Sequence, residues 1–355
     1  MLIKPTRDYS FINAKIRALK AQLLTIGEYE RLLSAQSLNE VARLIGTTSY
    51  ANSEIGSLLK NEPIDLNEID RFLSKYYYQF TEYLMSWLPK YARGFTELAY
   101  GQKMFITGLK SIIRGIHFHI NKKEIVQYLI APDEEVYKLF RDLLDSATVA
   151  ELIDRLPDPE SQKLLHGHLR EYEALKSPLI LEQALTKRYY DILFQKRKTL
   201  RRIDVKSVFR IVNAEIDLFN LAVIIRAKNL DLEENTIRSW LIPIQYKLGS
   251  IEKYLKSRKA EIFNLLNNTV YRELAPAFQT AFETEIPHFE VIDTAIDQFL
   301  VHLAYISFRE VPFHLGVFSS FLHLKSMEIR NLRAIITGKH DGVESNLIRR
   351  FLTII

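Results

Sequence analysis

The sequence contains no cysteine, and it has only 12 glycines and 11 prolines among 355 residues. The lack of cysteine excludes a disulfide framework and thiol chemistry, and it suits a reducing compartment. Few glycines and prolines argue against a sheet-rich fold with many turns. The most apolar segment, 295–306, is interrupted by Asp297, Gln298 and His302, and the N-terminus lacks an apolar signal core. We therefore expect a protein that does not cross a membrane unaided.

Motifs for nucleotide binding and for hydrolysis are also absent. The sequence has no GxxxxGK[ST] loop, no GxGxxG turn and no HExxH pair. The histidine pairs His117/His119 and His166/His168 have no obvious third ligand nearby. The carboxylates are scattered along helices beside Lys or Arg, and no two stand out as a general acid and base. We predict a protein that is not an enzyme and that holds no cofactor and no metal.

The net charge of +5 is concentrated in one segment. Between Lys187 and Arg210 there are nine basic and two acidic residues. Such a segment suits an acidic partner, a nucleic acid or anionic lipid headgroups, or simply a charged helix face in water. Leu193, Leu200 and Ile203 give it an apolar side at helical spacing, which predicts one long surface helix.

What the sequence does contain is one pattern in three copies. Two isoleucines, any residue and a small residue are followed, after nine residues, by Ile, two residues of any type, an aromatic residue and Leu. The copies begin at Ile112, Ile224 and Ile335, at offsets of 112 and 111 residues. Equal spacing in three copies indicates repeated structural units rather than ordinary helical core. We predict three helical repeat units: 1–117, 118–229 and 230–355.

The pattern predicts a helix that ends, a turn, and a new helix. The small residue follows an apolar helical run and marks a helix end or a close helix contact; it is Gly115, Ala227 or Gly338. Each turn offers an Asn or Asp followed three residues later by Glu, which predicts a capping box for the next helix. The pairs are Asn121/Glu124, Asp231/Glu234 and Asp341/Glu344. The Ile, aromatic and Leu positions that follow should form one apolar helix face.

Helical patterns elsewhere in the chain recur in the same order. A first helix is predicted over 9–25, and capping boxes are predicted at Ser37/Glu40 and Thr148/Glu151. A longer helical pattern follows in each unit, over 66–88, 179–194 and 291–306. The sequence therefore predicts an all-α protein.

Several short segments resemble a known family. They are Tyr9 with 13–18 (Asn-Ala-Lys-Ile-Arg-Ala), 44–50, 220–228 and 328–335. Their order and spacing resemble the C-type subunit of the prokaryotic V/A-type rotary ATPases, which is related to the d-type subunit of the eukaryotic vacuolar enzyme. The resemblance covers nearly the whole chain, including the three copies.

The first and third copies depart from the family pattern. The first has Gly108 where the others carry Asn220 and Asn331, and the third has Thr337 where an Arg would match. Roles that need equivalent residues in all three units are therefore in doubt.

The resemblance implies a pseudo-threefold funnel of three helical subdomains. In this family the funnel sits on the cytoplasmic face of the membrane rotor ring and receives the central shaft, formed by D/F-type subunits. It is a non-catalytic, peripheral coupling between ATP turnover and H⁺ or Na⁺ transport, and nucleic acid is not among its partners. Two other readings stay open, an all-helical scaffold and a basic nucleic-acid-binding protein.

If the three units close around one axis, the charged ends of the repeated motif form a basic ring. Such a ring would attract an acidic end of the shaft. We predict that it binds the partner through seven residues: Arg114, Arg226, Lys228, Arg333, Lys339, Arg349 and Arg350.

Overall fold

The computed structural model of the chain describes residues 4–60, 64–127, 129, 134–281 and 288–354. Within these ranges the ordered elements are helices, and no residue lies in a β-strand. This confirms the predicted all-α class. One residue of the repeated pattern, Tyr128, lies outside the described residues.

The α-helices are named here in chain order. The helices of the first 200 residues are α1 (Lys4–Lys20), α2 (Ile26–Ser34), α3 (Leu38–Ile45), α4 (Ile55–Leu58), α5 (Leu66–Met85), α6 (Lys90–His117), α7 (Lys122–Gln127), α8 (Glu134–Leu143), α9 (Val149–Asp154), α10 (Pro159–Leu175) and α11 (Leu179–Lys196). The later helices are α12 (Arg202–Asn229), α13 (Glu234–Trp240), α14 (Ile251–Lys256), α15 (Lys259–Asn267), α16 (Ala275–Thr280), α17 (Phe289–Ser307), α18 (Leu315–His340) and α19 (Ser345–Arg350).

The chain forms two compact units. Unit 1 contains residues 1–69, 87–89 and 201–355, and unit 2 contains residues 70–86 and 90–200. Unit 1 is thus built from both ends of the chain. The three repeat units inferred from the spacing stay a prediction.

Unit 2 is organised around α6, which packs against α7, α8, α9 and α11. Its core is aliphatic, with one large aromatic ring, Phe140, that is fully buried. Fully burying each such side chain contributes about 1.5–3 kcal/mol. The core side chains with no exposed surface include Leu109, Ile112, Ile113, Leu152, Ile153, Leu165 and Leu181.

Unit 1 is organised around α18, which packs against α1, α3, α12, α17 and α19. The first turn of α18 is capped from α12, because Asp204 accepts a hydrogen bond of 2.8 Å from the N–H of Leu315. The Ser207 hydroxyl accepts another, at 3.2 Å, from the N–H of Gly316. These contacts satisfy two amides that have no partner within the helix.

Two predicted helices differ from the structure. The first helix ends at Lys20 rather than near residue 25, because Thr25 caps α2 in a capping box with Glu28. The predicted long helix through the basic segment is wrong. There α11 ends at Lys196, and the backbone is extended at Leu200, whose side chain is buried.

The other predicted caps are present in modified form. The hydroxyls of Ser37 and Thr148 each accept a bond of 3.2 Å from the N–H of a Glu three residues later. The two carboxylates bind the residue before the cap, at 2.9 Å for Gln36 N–H and 2.8 Å for Ala147 N–H. The N-termini of α3 and α9 are therefore capped in the same way, by a hydroxyl and by a carboxylate three residues later.

Candidate functional site at the repeated helix corners

The long helices α6, α12 and α18 end in the same backbone arrangement, a Schellman turn. The second residue beyond the end of each helix has a left-handed backbone, with φ 54° at His119, 52° at Asp231 and 68° at Gly342. The next N–H donates to the carbonyl oxygen of the small residue, at 2.9 Å from Ile120 to Gly115, 3.1 Å from Leu232 to Ala227 and 2.8 Å from Val343 to Gly338. These bonds confirm the predicted helix ends. We call each long-helix end, with its turn and the short helix that follows, a helix corner.

The small residue is needed because the short helix packs directly against it. A Cβ atom on Gly115 would overlap the side chain of Ile125, and one on Gly338 would lie 2.6 Å from Cγ1 of Ile348. In the second corner the methyl group of Ala227 fits and is buried. In the first and third corners, the first isoleucine of the short helix thus packs directly on the glycine of the long helix.

The predicted capping boxes of the second and third corners are wrong. Asp231 occupies the left-handed position, and α13 is preceded by Glu233, which makes no side-chain cap. Likewise α19 follows Glu344, whose side chain caps nothing. Only Asn121 bonds the next helix, accepting from the N–H of Lys123 at 2.9 Å. An Asp tolerates the left-handed conformation, so Asp231 forms the turn instead of capping α13.

The predicted apolar face of the short helix holds only in part. Ile237 and Trp240 of α13 are buried, and so is Ile348 of α19. Phe351, at the aromatic position of the third copy, is 55% exposed. The third corner therefore presents an aromatic ring to solvent.

In the second and third corners an Asn of the long helix holds the chain beyond the short helix. The amide of Asn220 donates to the carbonyl of Ile242 and accepts from its N–H, both at 2.9 Å. Asn331 bonds Thr353 in the same way, at 2.8 and 3.0 Å. Both Asn side chains are buried, so each replaces a backbone partner for a segment that has left its helix.

One turn earlier, a buried carboxylate on the same helix holds a loop. Asp217 accepts from the N–H groups of Tyr246, Lys247 and Leu248, at 3.1, 2.6 and 2.8 Å, and from the hydroxyl of Tyr271 at 2.8 Å. Four donors stabilise a charge that would otherwise be costly to bury.

Glu328 has the equivalent role on α18, 111 residues further on. It accepts from the N–H of Leu24 at 2.5 Å, the Tyr50 hydroxyl at 2.8 Å and the Lys325 ammonium at 2.6 Å. Lys325 also lies over the Tyr50 ring, 4.4 Å from its centroid. Sequence reasoning missed this buried network, although the offset of 111 between Asp217 and Glu328 could have revealed it.

The first repeat has no polar side chain at the position of the buried carboxylate or at the position of the buried Asn. Phe105 stands where the carboxylates stand, and Gly108 stands where the Asn residues stand. The ring of Phe140 packs against Gly108 and stacks on Phe105 at a centroid distance of 5.6 Å. Unit 2 therefore uses aromatic packing where unit 1 uses a carboxylate and an amide.

In the first and second corners, a predicted arginine is paired with a carboxylate of the same chain. Arg114 binds Glu182 through two N–O contacts of 2.5 Å each. Arg226 binds Asp293 at 2.6 Å and lies over the ring of Phe289. These two cations lie at helix ends, as predicted, but part of their charge is compensated within the chain.

The two predicted lysines donate to neutral oxygens. The ammonium of Lys228 donates to the carbonyl of Leu255 at 2.5 Å, and that of Lys339 donates to the hydroxyl of Ser345 at 2.9 Å. Burial lowers the pKa of Lys339. Lys339 thus braces its own corner, whereas Lys228 connects the second corner to α14.

The remaining three predicted residues lie in the third corner or on the helix before it. Arg349 pairs with Glu30 and is exposed, and Arg350, next to it, is also exposed. Arg333 is half-buried on α18. The third corner thus presents two neighbouring arginines beside Phe351. A role of the seven basic residues in docking stays a prediction.

The basic segment is divided by the break between α11 and α12. Three of its cations are paired: Arg188 with Asp158 at 2.9 Å, Arg201 with Asp8 at 2.5 Å, and Arg210 with Glu310. Lys196, Arg197, Lys198, Arg202 and Lys206 are exposed.

The described residues contain neither a metal-binding cluster nor a membrane-spanning helix. Within those ranges there is no cluster of three or more His, Asp or Glu side chains that could hold a metal ion. In the same part of the chain, no helix is long and apolar enough to span a bilayer.

Comparison with known sequences assigns the chain to a family. A family profile described as "ATP synthase (C/AC39) subunit" matches residues 12–351. Proteins named as the C-type subunit of A-type ATP synthases are similar over almost the full length. The one from Methanosarcina acetivorans is 25% identical over 99% of this chain and 94% of its own, and the one from Methanosarcina mazei is 26% identical with the same coverage. The relative from Methanocaldococcus jannaschii is 25% identical over 97% of this chain and 86% of its own.

The profile match includes all three helix corners and both buried carboxylates. The resemblance drawn from the short motifs is confirmed, and the chain belongs to the ATP synthase (C/AC39) subunit family.

Proposed function

We propose that this chain is a non-catalytic central-stalk subunit of an A/V-type rotary ATPase. It would connect the D/F-type shaft to the membrane rotor ring, as a peripheral protein on the cytoplasmic side, during ATP-linked H⁺ or Na⁺ transport. The observation that carries the proposal is the threefold recurrence of the helix corner within a chain of the ATP synthase (C/AC39) subunit family. The funnel arrangement of three subdomains is part of the same proposal.

The corners suit the transmission of torque because each fixes a helix end in several independent ways. A Schellman turn, a glycine or alanine against an isoleucine, and in two corners an Asn–backbone pair all restrain the same joint. Buried amide pairs and close-packed side chains resist deformation, so a load applied at one helix passes to the next. A protein that couples two rotating parts needs this stiffness more than it needs a reactive group.

Reconstitution tests the coupling role. Membrane complexes assembled without this chain should still hydrolyse ATP in their catalytic subunits but should show no ATP-driven ion uptake. Adding the chain should restore uptake. The isolated chain should show no saturable ATP binding by calorimetry. Ion uptake without the chain, or ATP binding that a point change in it abolishes, would contradict the proposal.

Docking of the shaft through the basic corners has its own test. Reversing Arg226 and Lys228 together to Glu should slow association with purified shaft subunits by about tenfold at low salt, because rim charges act mainly on the association rate. The effect should shrink at high salt, where charges are screened.

A matched control reverses Lys253 and Lys256, two exposed residues of α14, because the change in net charge is the same. Thermal unfolding of both variants separates lost docking from the loss of the Arg226–Asp293 pair. Equal slowing by both variants would show that only net charge matters. Unchanged binding at low salt would remove Arg226 and Lys228 from the docking site.

A further inference from the structure

Unit 2 contains an open cleft of about 330 Å³ between α5 and α6, which α8 also lines. Its apolar wall includes Tyr78 and Met85 of α5, Met104 and Phe105 of α6, and Val136 of α8. Most of these side chains are half-buried rather than sealed in the core. A volume of this size accommodates one or two large side chains or a small ligand.

Unit 1 contains the counterpart of this cleft, and there it is almost filled. The counterpart lies between α17 and α18 and has a volume of about 40 Å³. Met327 of α18 lines it at the place of Met104 in α6, and Tyr305 of α17 lines it as Tyr78 of α5 lines the open cleft. The repeat therefore offers the same cleft in an open and a filled form.

Two differences separate the clefts. The filled cleft is also lined by residues from outside its two long helices, namely Leu23, Leu24, Tyr29, Thr353 and Ile354, and one position of the long helix itself differs. α18 carries Leu324, which is 4% exposed and packs against Val301 and Ala304 of α17. α6 carries Gly101 at the equivalent place, and a Cβ atom added there would meet nothing within 4 Å. Unit 1 thus supplies, from its own chain, an aliphatic side chain that unit 2 lacks.

The charged groups in the lining of the open cleft are carboxylates. They belong to Glu82 on α5 and Glu97 on α6, and Glu97 also contacts Arg93 at 2.6 Å. A segment that entered the cleft beside these groups would be favoured by a positive charge close to its apolar side chain.

We propose that the cleft between α5 and α6 binds an amphipathic helix of a partner protein. The helix inserts a leucine-like side chain beside Gly101, in the space that Leu324 fills in unit 1, and carries Lys or Arg facing Glu82 and Glu97. Docking of an apolar helix face into a groove between helices is a general mode of recognition. The proposal does not depend on the coupling role, because it concerns the surface of unit 2 alone.

The four methionines of the chain provide a direct assay. Met85 and Met104 line the open cleft, and Met327 lines the filled one, so ¹³C-methyl signals report on both in one spectrum. The probe is a synthetic three-heptad helix of leucines and lysines, and its matched partner has glutamate in place of lysine. The lysine peptide should shift the Met85 and Met104 signals saturably, with Met327 unchanged and at least tenfold weaker binding by the glutamate peptide.

Gly101→Leu should fill the cleft and weaken binding of the lysine peptide at least tenfold, without loss of stability. The control Gly167→Leu places the same side chain on an exposed position of α10, where nothing lies within 4 Å, and should leave binding unchanged. No saturable shift, equal binding of both peptides, or full binding by Gly101→Leu would overturn the proposal. Binding of octylammonium without binding of the peptide would also overturn it, because the cleft would then be a small-molecule site.

Discussion

The hydroxyl of Tyr271 lies 2.8 Å from a carboxylate oxygen of Asp217, and both groups are buried in unit 1. The same relationship joins Tyr50 to Glu328, also at 2.8 Å. In both cases a tyrosine after a short helix closes onto a carboxylate of a long helix. Burial, and then the charge of Asp217, raise the pKa of Tyr271, so this tyrosine keeps its proton and remains a donor.

Removing that donor should destabilise unit 1. Tyr271→Phe leaves Asp217 with its three backbone donors, so we expect a loss of about 1–3 kcal/mol in the free energy of unfolding. Urea denaturation measures this loss. Tyr246→Phe, at a side chain that is 39% exposed, serves as the control and should change stability by less than about 0.5 kcal/mol. Equal effects of the two changes would show that the Tyr271–Asp217 bond is not stabilising.

The Asn–backbone pairs should be more costly to remove. Asn331→Ala leaves the N–H and carbonyl of Thr353 without their partner in a buried place, and we expect a loss of about 2–4 kcal/mol. The control is Asn264→Ala, on an exposed position of α15. At the equivalent place in unit 2, Gly108→Asn should also destabilise, because its Cβ would overlap the ring of Phe140. A neutral Asn331→Ala would refute the bracing role of the pair.

Lys110 should make the stability of unit 2 depend on pH. Burial lowers the pKa of Lys110 from 10.5 to about 8, although Glu182 acts in the opposite direction. Between these values the unfolded chain binds more protons than the folded one, so the free energy of unfolding should rise with pH from about 8 to 10.5. Lys110→Met should lack this rise, whereas Lys103→Met, exposed on the same helix, should keep most of it, because Lys103 lowers the pKa of Lys110 less than burial does. Parallel pH profiles of all three proteins would contradict the assignment.

The left-handed residue of the third corner gives a prediction about the backbone. Gly342 has φ 68°, so Gly342→Ala should cost about 1–2 kcal/mol. Gly94→Ala lies in α6 with open space around it, and it should be neutral or stabilising by up to about 1 kcal/mol. The melting temperature should therefore fall for Gly342→Ala and stay the same or rise for Gly94→Ala. A stabilising Gly342→Ala would mean that this turn is not held as described.

The sequence was sufficient to locate the helix corners, because their determinants are local. An apolar run, a small residue and an isoleucine at fixed spacing define the joint, and the structure has it in all three copies. The capping boxes were misassigned because an Asp can cap a helix or adopt a left-handed turn, and only the helix start decides between them. Asp231 adopts the left-handed conformation of the turn.

The buried charged residues of the long helices could not be predicted from local sequence patterns. Asp217 and Lys325 look like solvent-facing charges in the sequence, yet they are buried because their partners come from distant loops and helices. The partners of the basic corner residues are equally remote in sequence: Glu182 lies 68 residues from Arg114, and Glu30 lies 319 residues from Arg349. Such pairs depend on tertiary packing, which periodicity does not encode.

The construction of unit 1 from both chain ends has a consequence for synthesis. α1 packs along α18, yet it leaves the ribosome long before α18 is made. At about 5–20 residues per second, the interval is on the order of tens of seconds. Unit 2 is nearly continuous in sequence and can complete its core meanwhile. The apolar face of α1, with Ile12 and Ile16, is therefore synthesised well before the helix that covers it, and α1 is among the last elements of unit 1 to reach its native contacts.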